Sequence, residues 1–271
     1  MPELPEVETT RQGILPHLIG RKIINVICRT DKLRLPLQAD LPELLISQII
    51  NTVERCGKYL LFRCTDGTLI VHLGMTGHLR LATVGALHGK HDHFEIGLDN
   101  GNLLRLHDSR KFGTVIWTDS DPQLHPLLAR MGVEPLTDAF SAAYMTARCK
   151  VRRTPIKQLL MDNALVVGIG NIYASESLFR AGIHPGISGA LLDADRWQRL
   201  VLTVKTVLAE AIELGRGTLA EYSAAEGKPG YFRLDLMVYS RAGDPCRNCG
   251  SPIQVLRQSG RSTYFCAVCQ K

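Results

Sequence analysis

Four cysteines near the C-terminus constrain this chain more than any other feature. Cys246 and Cys249 form one C-x2-C knuckle, and after sixteen intervening residues Cys266 and Cys269 form a second. Each knuckle can turn two sulfurs toward one Zn²⁺ at about 2.3 Å, and the pair completes a tetrahedron. With all four positions taken by protein, none is left for water or substrate. One structural zinc is therefore expected, replacing a core that so short a segment cannot build. Two disulfides are the alternative use of the same spacing. The segment itself is expected to be a β-hairpin whose loop carries Arg257 and Arg261, cations that could be aimed at phosphate. The remaining cysteines, Cys28, Cys56, Cys64 and Cys149, are isolated and read as small buried hydrophobes in a reducing cytoplasm.

The 271 residues allow two ordinary domains. No apolar run approaches the ~18 residues that a membrane helix needs. The acidic start MPELPEVETT lacks the basic-then-apolar order of a secretory leader. A cytoplasmic protein with no membrane contact is expected. Lys and Arg total 32 against 26 Asp and Glu, a net charge of +6. That excess is compatible with a polyanionic partner without proving one. Its placement says more: Arg148, Lys150, Arg152, Arg153 and Lys157 follow one another with no acid between them.

The opening reads as a helix. Pro5 suits its first turn, Glu6 and Glu8 suit the positive end of the dipole, and Pro16 and Gly20 close the segment. Strand-like runs follow at 22–30, 58–64, 68–74, 93–98, 102–107 and 114–118. The pairs Asp66-Gly67 and Asn100-Gly101 predict type I′ turns between antiparallel strands. Up to about residue 130 this is a β-sandwich or open barrel preceded by one helix. Gly132-Val133-Glu134-Pro135-Leu136 reads as an interdomain linker. Helical periodicity then predicts helices at 139–149, 154–162, 171–181 and 195–214. A turn of two bends, Val166-Val167-Gly168-Ile169-Gly170, precedes Asn171. Residues 215–230, rich in Gly, Ala and Ser, predict a mobile loop. Domain boundaries are expected at 1–131, 132–234 and 235–271.

Pro2-Glu3 is a second chemical feature. Methionine before proline is normally trimmed, which leaves Pro2 as a free secondary amine. A nucleophilic amine must be unprotonated. An ordinary α-amine is about 10% free at pH 7, whereas a reference lysine is about 0.04% free. Proline is more basic than that reference, so a site must restore part of the advantage. Glu3 beside it could donate or relay a proton. Taken alone, the dipeptide is first of all a helix start. Lys58 alone is an ordinary strand-edge lysine. Met75 and Phe112, in the loops 74–77 and 108–113, read singly as core residues. With Arg110 they are also the equipment that fills the gap left by an extruded base. His91 and His93 share a strand face, but no further metal ligand accompanies them.

Together, Pro2-Glu3-Leu4-Pro5-Glu6-Val7-Glu8-Thr9, Lys90-His91-Asp92-His93, the segment 165–176 and the four-cysteine finger resemble the formamidopyrimidine-DNA glycosylases over the whole chain and in the same order. The resemblance implies an α+β fold: an N-terminal helix plus antiparallel β-sandwich, then a helical domain with a helix–two-turn–helix, then a zinc-finger β-hairpin. DNA would lie in the cleft between the domains. It implies a bifunctional enzyme acting as a monomer on damaged double-stranded DNA. Pro2 would attack C1′ to give a Schiff base, and Glu3 would assist sugar-ring opening. Lys58 and Arg261 would serve β- and δ-elimination. His91, Arg110, Arg152, Lys157 and Asn171 would bind DNA. Met75, Arg110 and Phe112 would fill the vacated stack, with Arg110 facing the orphaned cytosine. The loop 217–230 would cover the flipped base. No redox cofactor is implied, because the imine is itself the electron sink. The chain departs from the family pattern at Arg216, where a glycine is common, and at Ser240, where Val-Tyr-Gly-Arg is more usual.

Three rivals stand beside this reading. One is the related endonuclease VIII-type glycosylase for oxidised pyrimidines, one a non-catalytic zinc-ribbon DNA-binding protein, and one an RNA-binding module.

Overall fold

The computed structural model of the chain describes residues 1–217 and 235–271. They form two compact units, one of residues 1–129 with the helix end from 212, the other of residues 130–211 with the tail 235–271.

In the first unit, α1 (Leu4–Leu18) starts where the backbone leaves an extended Glu3. The Glu3 N–H donates to Glu6 Oε2 at 2.8 Å, half of a capping box. Val7, Ile14 and Leu18 form one buried stripe. Pro16 does not end the helix. It sits inside the last turn, and the chain turns away at Gly20.

Two four-stranded antiparallel sheets follow. The first has the order β1 (Ile23–Cys28), β6 (Asp92–Leu98), β7 (Asn102–His107), β5 (His78–Thr83). The second has the order β2 (Ile50–Cys56), β3 (Tyr59–Cys64), β4 (Thr68–His72), β8 (Thr114–Thr118). A five-residue helix, α2 (Leu41–Leu45), lies between β1 and β2 in sequence. Phe62, Val71, Ile96 and Leu104 meet the stripe of α1 in one core. The sequence pattern does not reveal β2 and β5. Polar residues interrupt both, Asn51, Thr52, Glu54 and Arg55 in β2 and His78 and Arg80 in β5, so no continuous apolar run forms.

Neither expected type I′ turn is present. Gly101 has φ +81 but Asn100 does not have positive φ, and the Gly101 N–H donates to Leu98 O at 3.1 Å. This is a three-residue loop ending in a left-handed glycine. Gly67 has no positive φ. A Cβ there would lie 2.6 Å from the Trp117 ring, so close packing explains the glycine.

The second unit is helical: α3 (Ala142–Cys149), α4 (Ile156–Leu160), α5 (Asn171–Arg180) and α6 (Ala194–Gly217). Ser141 Oγ accepts from the Tyr144 N–H at 3.1 Å and fixes the start of α3 three residues later than expected. Met145, Leu160, Tyr173, Trp197 and Val204 share the core. Gly168, at φ +83, and Gly170, which caps α5, make the double turn. The expected linker is not free: Val133 forms a parallel bridge with Val166, and the Gly132 N–H donates to Asn163 O at 2.8 Å. The expected loop begins later than residue 215, because α6 runs to Gly217. The remainder of it, 218–230, lies outside the described residues.

The tail forms the expected hairpin, β9 (Gln254–Gln258) with β10 (Arg261–Phe265). Its turn residues Ser259 and Gly260 have φ +45 and +75, as a type I′ turn requires. Phe179 of α5 joins Val238, Cys246, Ile253 and Cys266 in a small core. No helix among the described residues is long and apolar enough to cross a membrane.

Candidate active site and metal centre

The candidate residues divide between the units. In the first, Glu3 is 2% exposed at the head of α1, next to a half-buried Pro2. One turn on, Glu8 ties this helix to the β2–β3 hairpin. It accepts from Arg11 at 2.6 Å, Gln12 at 2.7 Å and Arg55 Nε at 3.1 Å. Burial raises the Glu8 pKa, but these donors outweigh it and hold the carboxyl below its ordinary range. Arg55 continues the chain by donating from Nη1 to Gly57 O at 3.0 Å. Gly57, at φ +57, and Lys58 are the two turn residues between Cys56 and Tyr59, so Lys58 stands on the hairpin turn and not in the strand. A glycine with positive φ in first place is the type II′ arrangement.

Beside Lys58 lies His72, which the sequence reading missed because it closes an apolar strand. The His72 ring packs against Tyr59 at a tilt of 52°, centroids 4.7 Å apart, and Nδ1 accepts from the Gly74 N–H at 3.0 Å. Burial, then the charges of Lys58 and Arg34, push its pKa down to about 4 against the pull of Asp108. It is neutral at physiological pH, with its proton on Nε2.

Met75, Arg110 and Phe112 are brought into two touching loops. Met75 is 38% and Phe112 41% exposed, so the core reading of these two residues does not hold. Arg110 Cζ lies 4.6 Å from the Phe112 ring centroid, a cation–π contact. A Cβ on Gly74 would stand 2.4 Å from the Phe112 carbonyl carbon, which shows how closely the loops approach. His91, half-buried, meets the His93 and His107 rings edge-on at 6.2 and 5.6 Å.

In the second unit, Lys157 and Asn171 are joined to β10. Lys157 is 2% exposed. Its ammonium donates to Asn171 Oδ1 at 2.6 Å, Thr263 Oγ1 at 2.7 Å and Ser262 O at 3.2 Å. Asn171 Nδ2 donates to the same Ser262 carbonyl at 3.0 Å. Lys157 and Arg261 line one cavity of about 280 Å³ with Gln158, Met161, Gln258 and Ser259. Arg152 is not part of it and pairs with Asp162 at 3.2 Å.

The four tail cysteines converge. Their sulfurs all lie within 4.8 Å of one another, with Cys249–Cys266 at 3.5 Å and Cys246–Cys269 at 3.9 Å. A tetrahedral zinc site has sulfurs about 3.8 Å apart, whereas a disulfide needs about 2 Å. The quartet fits one zinc, and the disulfide alternative falls. It is the one cluster of this kind among the described residues. Hydrogen bonds from the Ser251 backbone and side chain hold the Cys249 thiol down to about 6. Cys28, Cys56, Cys64 and Cys149 form no disulfide, and of these Cys28 and Cys56 are only half-buried.

Glu176 was also missed, since one acid on a helix reads as a solvated charge. It is buried and accepts from the N–H groups of Met237, Val238 and Tyr239 at 2.9, 3.0 and 2.9 Å, anchoring the approach to the finger. The next residue, Ser240, has φ +62. Left-handed backbone costs a non-glycine residue about 1–2 kcal/mol, and glycine returns about 0.5–1 kcal/mol through the unfolded chain. Ser240→Gly is therefore expected to stabilise this segment by about 0.5–1 kcal/mol, read as slower amide exchange at residues 237–241.

Three family descriptions match the chain. They are the formamidopyrimidine-DNA glycosylase N-terminal domain over residues 1–115, the formamidopyrimidine-DNA glycosylase H2TH domain over 131–223, and the zinc finger found in FPG and IleRS over 243–271. The formamidopyrimidine-DNA glycosylase of Geotalea uraniireducens is 53% identical over 270 residues, covering 100% of both chains. That of Geobacter sulfurreducens is 52% identical over 271 residues, again covering 100% of both. Among solved structures, the MutM (Fpg) protein of Thermus thermophilus superposes with a TM-score of 0.85 at 38% identity, over 99% of this chain and 98% of that one. The Lactococcus lactis Fpg in complex with an abasic-site DNA gives 0.88 at 36% identity, over 99% of each.

Proposed function

The chain belongs to the formamidopyrimidine-DNA glycosylase family, and we propose that it excises 8-oxoguanine and formamidopyrimidines from duplex DNA and then cuts the strand at the abasic site. The unprotonated Pro2 amine, freed by removal of Met1, attacks C1′. The bond from C1′ to the base breaks, and the base leaves with a proton. Glu3 protonates the ring oxygen, the sugar opens, and an iminium joins Pro2 to C1′. Loss of a C2′ proton then expels the 3′ phosphate, with Lys58 as proton donor, and Arg261 serves the second elimination at the 5′ side. The iminium takes up the electrons at each stage.

Flipping the nucleotide costs a few kcal/mol. Met75, Arg110 and Phe112 offset part of it by filling the gap. His91, Arg152, Lys157 and Asn171 offset more through the backbone: Arg152 as an exposed cation, Asn171 at the head of α5, and Lys157 by adding charge beneath it. Residues 1–131 thus carry Pro2, Glu3, Lys58 and the stack-filling side chains, 132–234 hold the DNA backbone, and 235–271 bring in Arg261. The enzyme works as a cytoplasmic monomer. Cys246, Cys249, Cys266 and Cys269 hold one structural zinc, which keeps Arg261 on an ordered hairpin.

The observation that carries this reading is the chain's full-length identity with formamidopyrimidine-DNA glycosylases. The clamp from α1 through Glu8 and Arg55 to the turn bearing Lys58 supports the residue roles. Single-turnover excision from duplexes holding 8-oxoguanine or thymine glycol tests it. Faster release of 8-oxoguanine is expected. Dominant release of thymine glycol would move the chain to the endonuclease VIII-type activity. DNA binding with neither base released would leave only a zinc-ribbon binder.

A further inference from the structure

The side chains assigned to the vacated stack sit on two loops, and one buried carboxylate joins those loops. Asp108 follows β7 and is 0% exposed. Its Oδ1 accepts from Thr76 Oγ1 at 2.7 Å and from the Arg110 N–H at 3.3 Å. Its Oδ2 accepts from the Gly113 N–H at 2.7 Å. Thr76 Oγ1 in turn accepts from the Arg110 N–H at 3.3 Å. The backbone of Asp108 is held as well: its N–H donates to His91 O at 2.9 Å, and its carbonyl accepts from the Lys111 N–H at 3.3 Å. One side chain therefore bonds the loop of Met75 through Thr76, and bonds the loop of Arg110 and Phe112 on both flanks of Phe112.

This bonding matters because the second loop is strained. Lys111, between Arg110 and Phe112, has φ +55. Such a conformation persists when surrounding bonds over-determine it. Neither Met75 nor Phe112 is held by burial, so hydrogen bonds must set their geometry.

We propose that Asp108 and Thr76 are positioning residues that lock Met75, Arg110 and Phe112 into one rigid wedge, and that this wedge sets the enzyme's preference for the base opposite the lesion. The proposal rests on the glycosylase reading above. A loose wedge would still enter the stack, but Arg110 would no longer meet the opposite base at a fixed angle. Asparagine at 108 removes one acceptor: either the Gly113 or the Arg110 N–H must face an amide NH₂.

The test uses the full-length, zinc-loaded enzyme on duplexes with 8-oxoguanine opposite cytosine or adenine. A displacement of about 1 Å costs about 10²-fold in rate. Asp108→Asn is therefore expected to lower kcat/KM opposite cytosine by about that factor and to bring the cytosine-to-adenine ratio toward unity. Thr76→Val, at a half-buried position, is expected to shift the ratio in the same direction. Thr76→Ser keeps the hydroxyl and is expected to retain the wild-type ratio. A merely structural defect would lower both substrates together and leave the ratio unmoved. If Asp108→Asn fails to fold, Thr76→Val decides. A folded Thr76→Val with the wild-type ratio, or a ratio lost equally in Thr76→Ser, overturns the clamp while the glycosylase reading stands. A wild-type enzyme that releases no 8-oxoguanine overturns both.

Discussion

Pro2→Gly is expected to lower excision of 8-oxoguanine from duplex DNA by about 10³-fold, equivalent to about 4 kcal/mol of transition-state stabilisation. Affinity for a duplex with a stable abasic analogue should stay within about twofold, since Pro2 supplies no phosphate contact. The difference lies in the amine. A secondary amine condenses directly to an iminium with a fixed positive charge. A primary amine gives an imine that must gain a proton before it can draw electrons from C2′. The pyrrolidine ring also ties the nitrogen to its own side chain and removes the free rotation of a primary amine, beside a Glu3 carboxyl held at the helix head by the capping box. Single-turnover kinetics with a parallel binding titration separate the two effects. Unchanged excision would remove the amine from the mechanism.

Cys249→Ser is expected to lose the one zinc and to weaken DNA binding by about 10²-fold or more. Structural zinc sites of this kind contribute about 10–16 kcal/mol in isolated finger peptides. The core around this finger is five side chains, Phe179, Val238, Cys246, Ile253 and Cys266, and two of them are ligands. Without metal, β9 and β10 have little to hold them. Arg261 then loses its place. Lys157 loses the Ser262 and Thr263 acceptors and keeps the Asn171 bond alone of these three. The core of the first unit, built from α1 and two sheets, should be unaffected. Metal analysis with a DNA titration at fixed salt measures both parts, because phosphate binding depends steeply on ionic strength. Wild-type affinity in a zinc-free variant would exclude the finger from the interface.

The finger and the central strands were legible because their physics is local. Ligand spacing and the apolar runs of β3, β4 and β7 declare themselves within a few residues. The strands β2 and β5 were not, because polar residues such as Glu54 and Arg80 interrupt their apolar pattern. The bridge from Val133 to Val166 was hidden for a different reason: pairing over such a separation leaves no mark on either segment. The same contrast holds at the site. Pro2, Lys58, Met75, Arg110 and Phe112 drew notice as residue types joined by a resemblance. His72, Asp108 and Glu176 did not, because their importance lies in what they bond once buried. An acid on a helix or after a strand looks solvated until three N–H groups, or a threonine and two loops, are found around it. Exposure also ran against residue type for Met75 and Phe112. Their loops approach so closely at Gly74 that a Cβ there would meet the Phe112 backbone.

The central claim is a covalent bond between the Pro2 nitrogen and the deoxyribose. Borohydride reduction during turnover on 8-oxoguanine duplex, followed by digestion and mass sequencing of the adduct, tests it most directly. The account predicts a reduced sugar on the N-terminal peptide, attached at Pro2 in chains that have lost Met1. An adduct on Lys58 or any other side chain, or none from an actively cleaving enzyme, would contradict it.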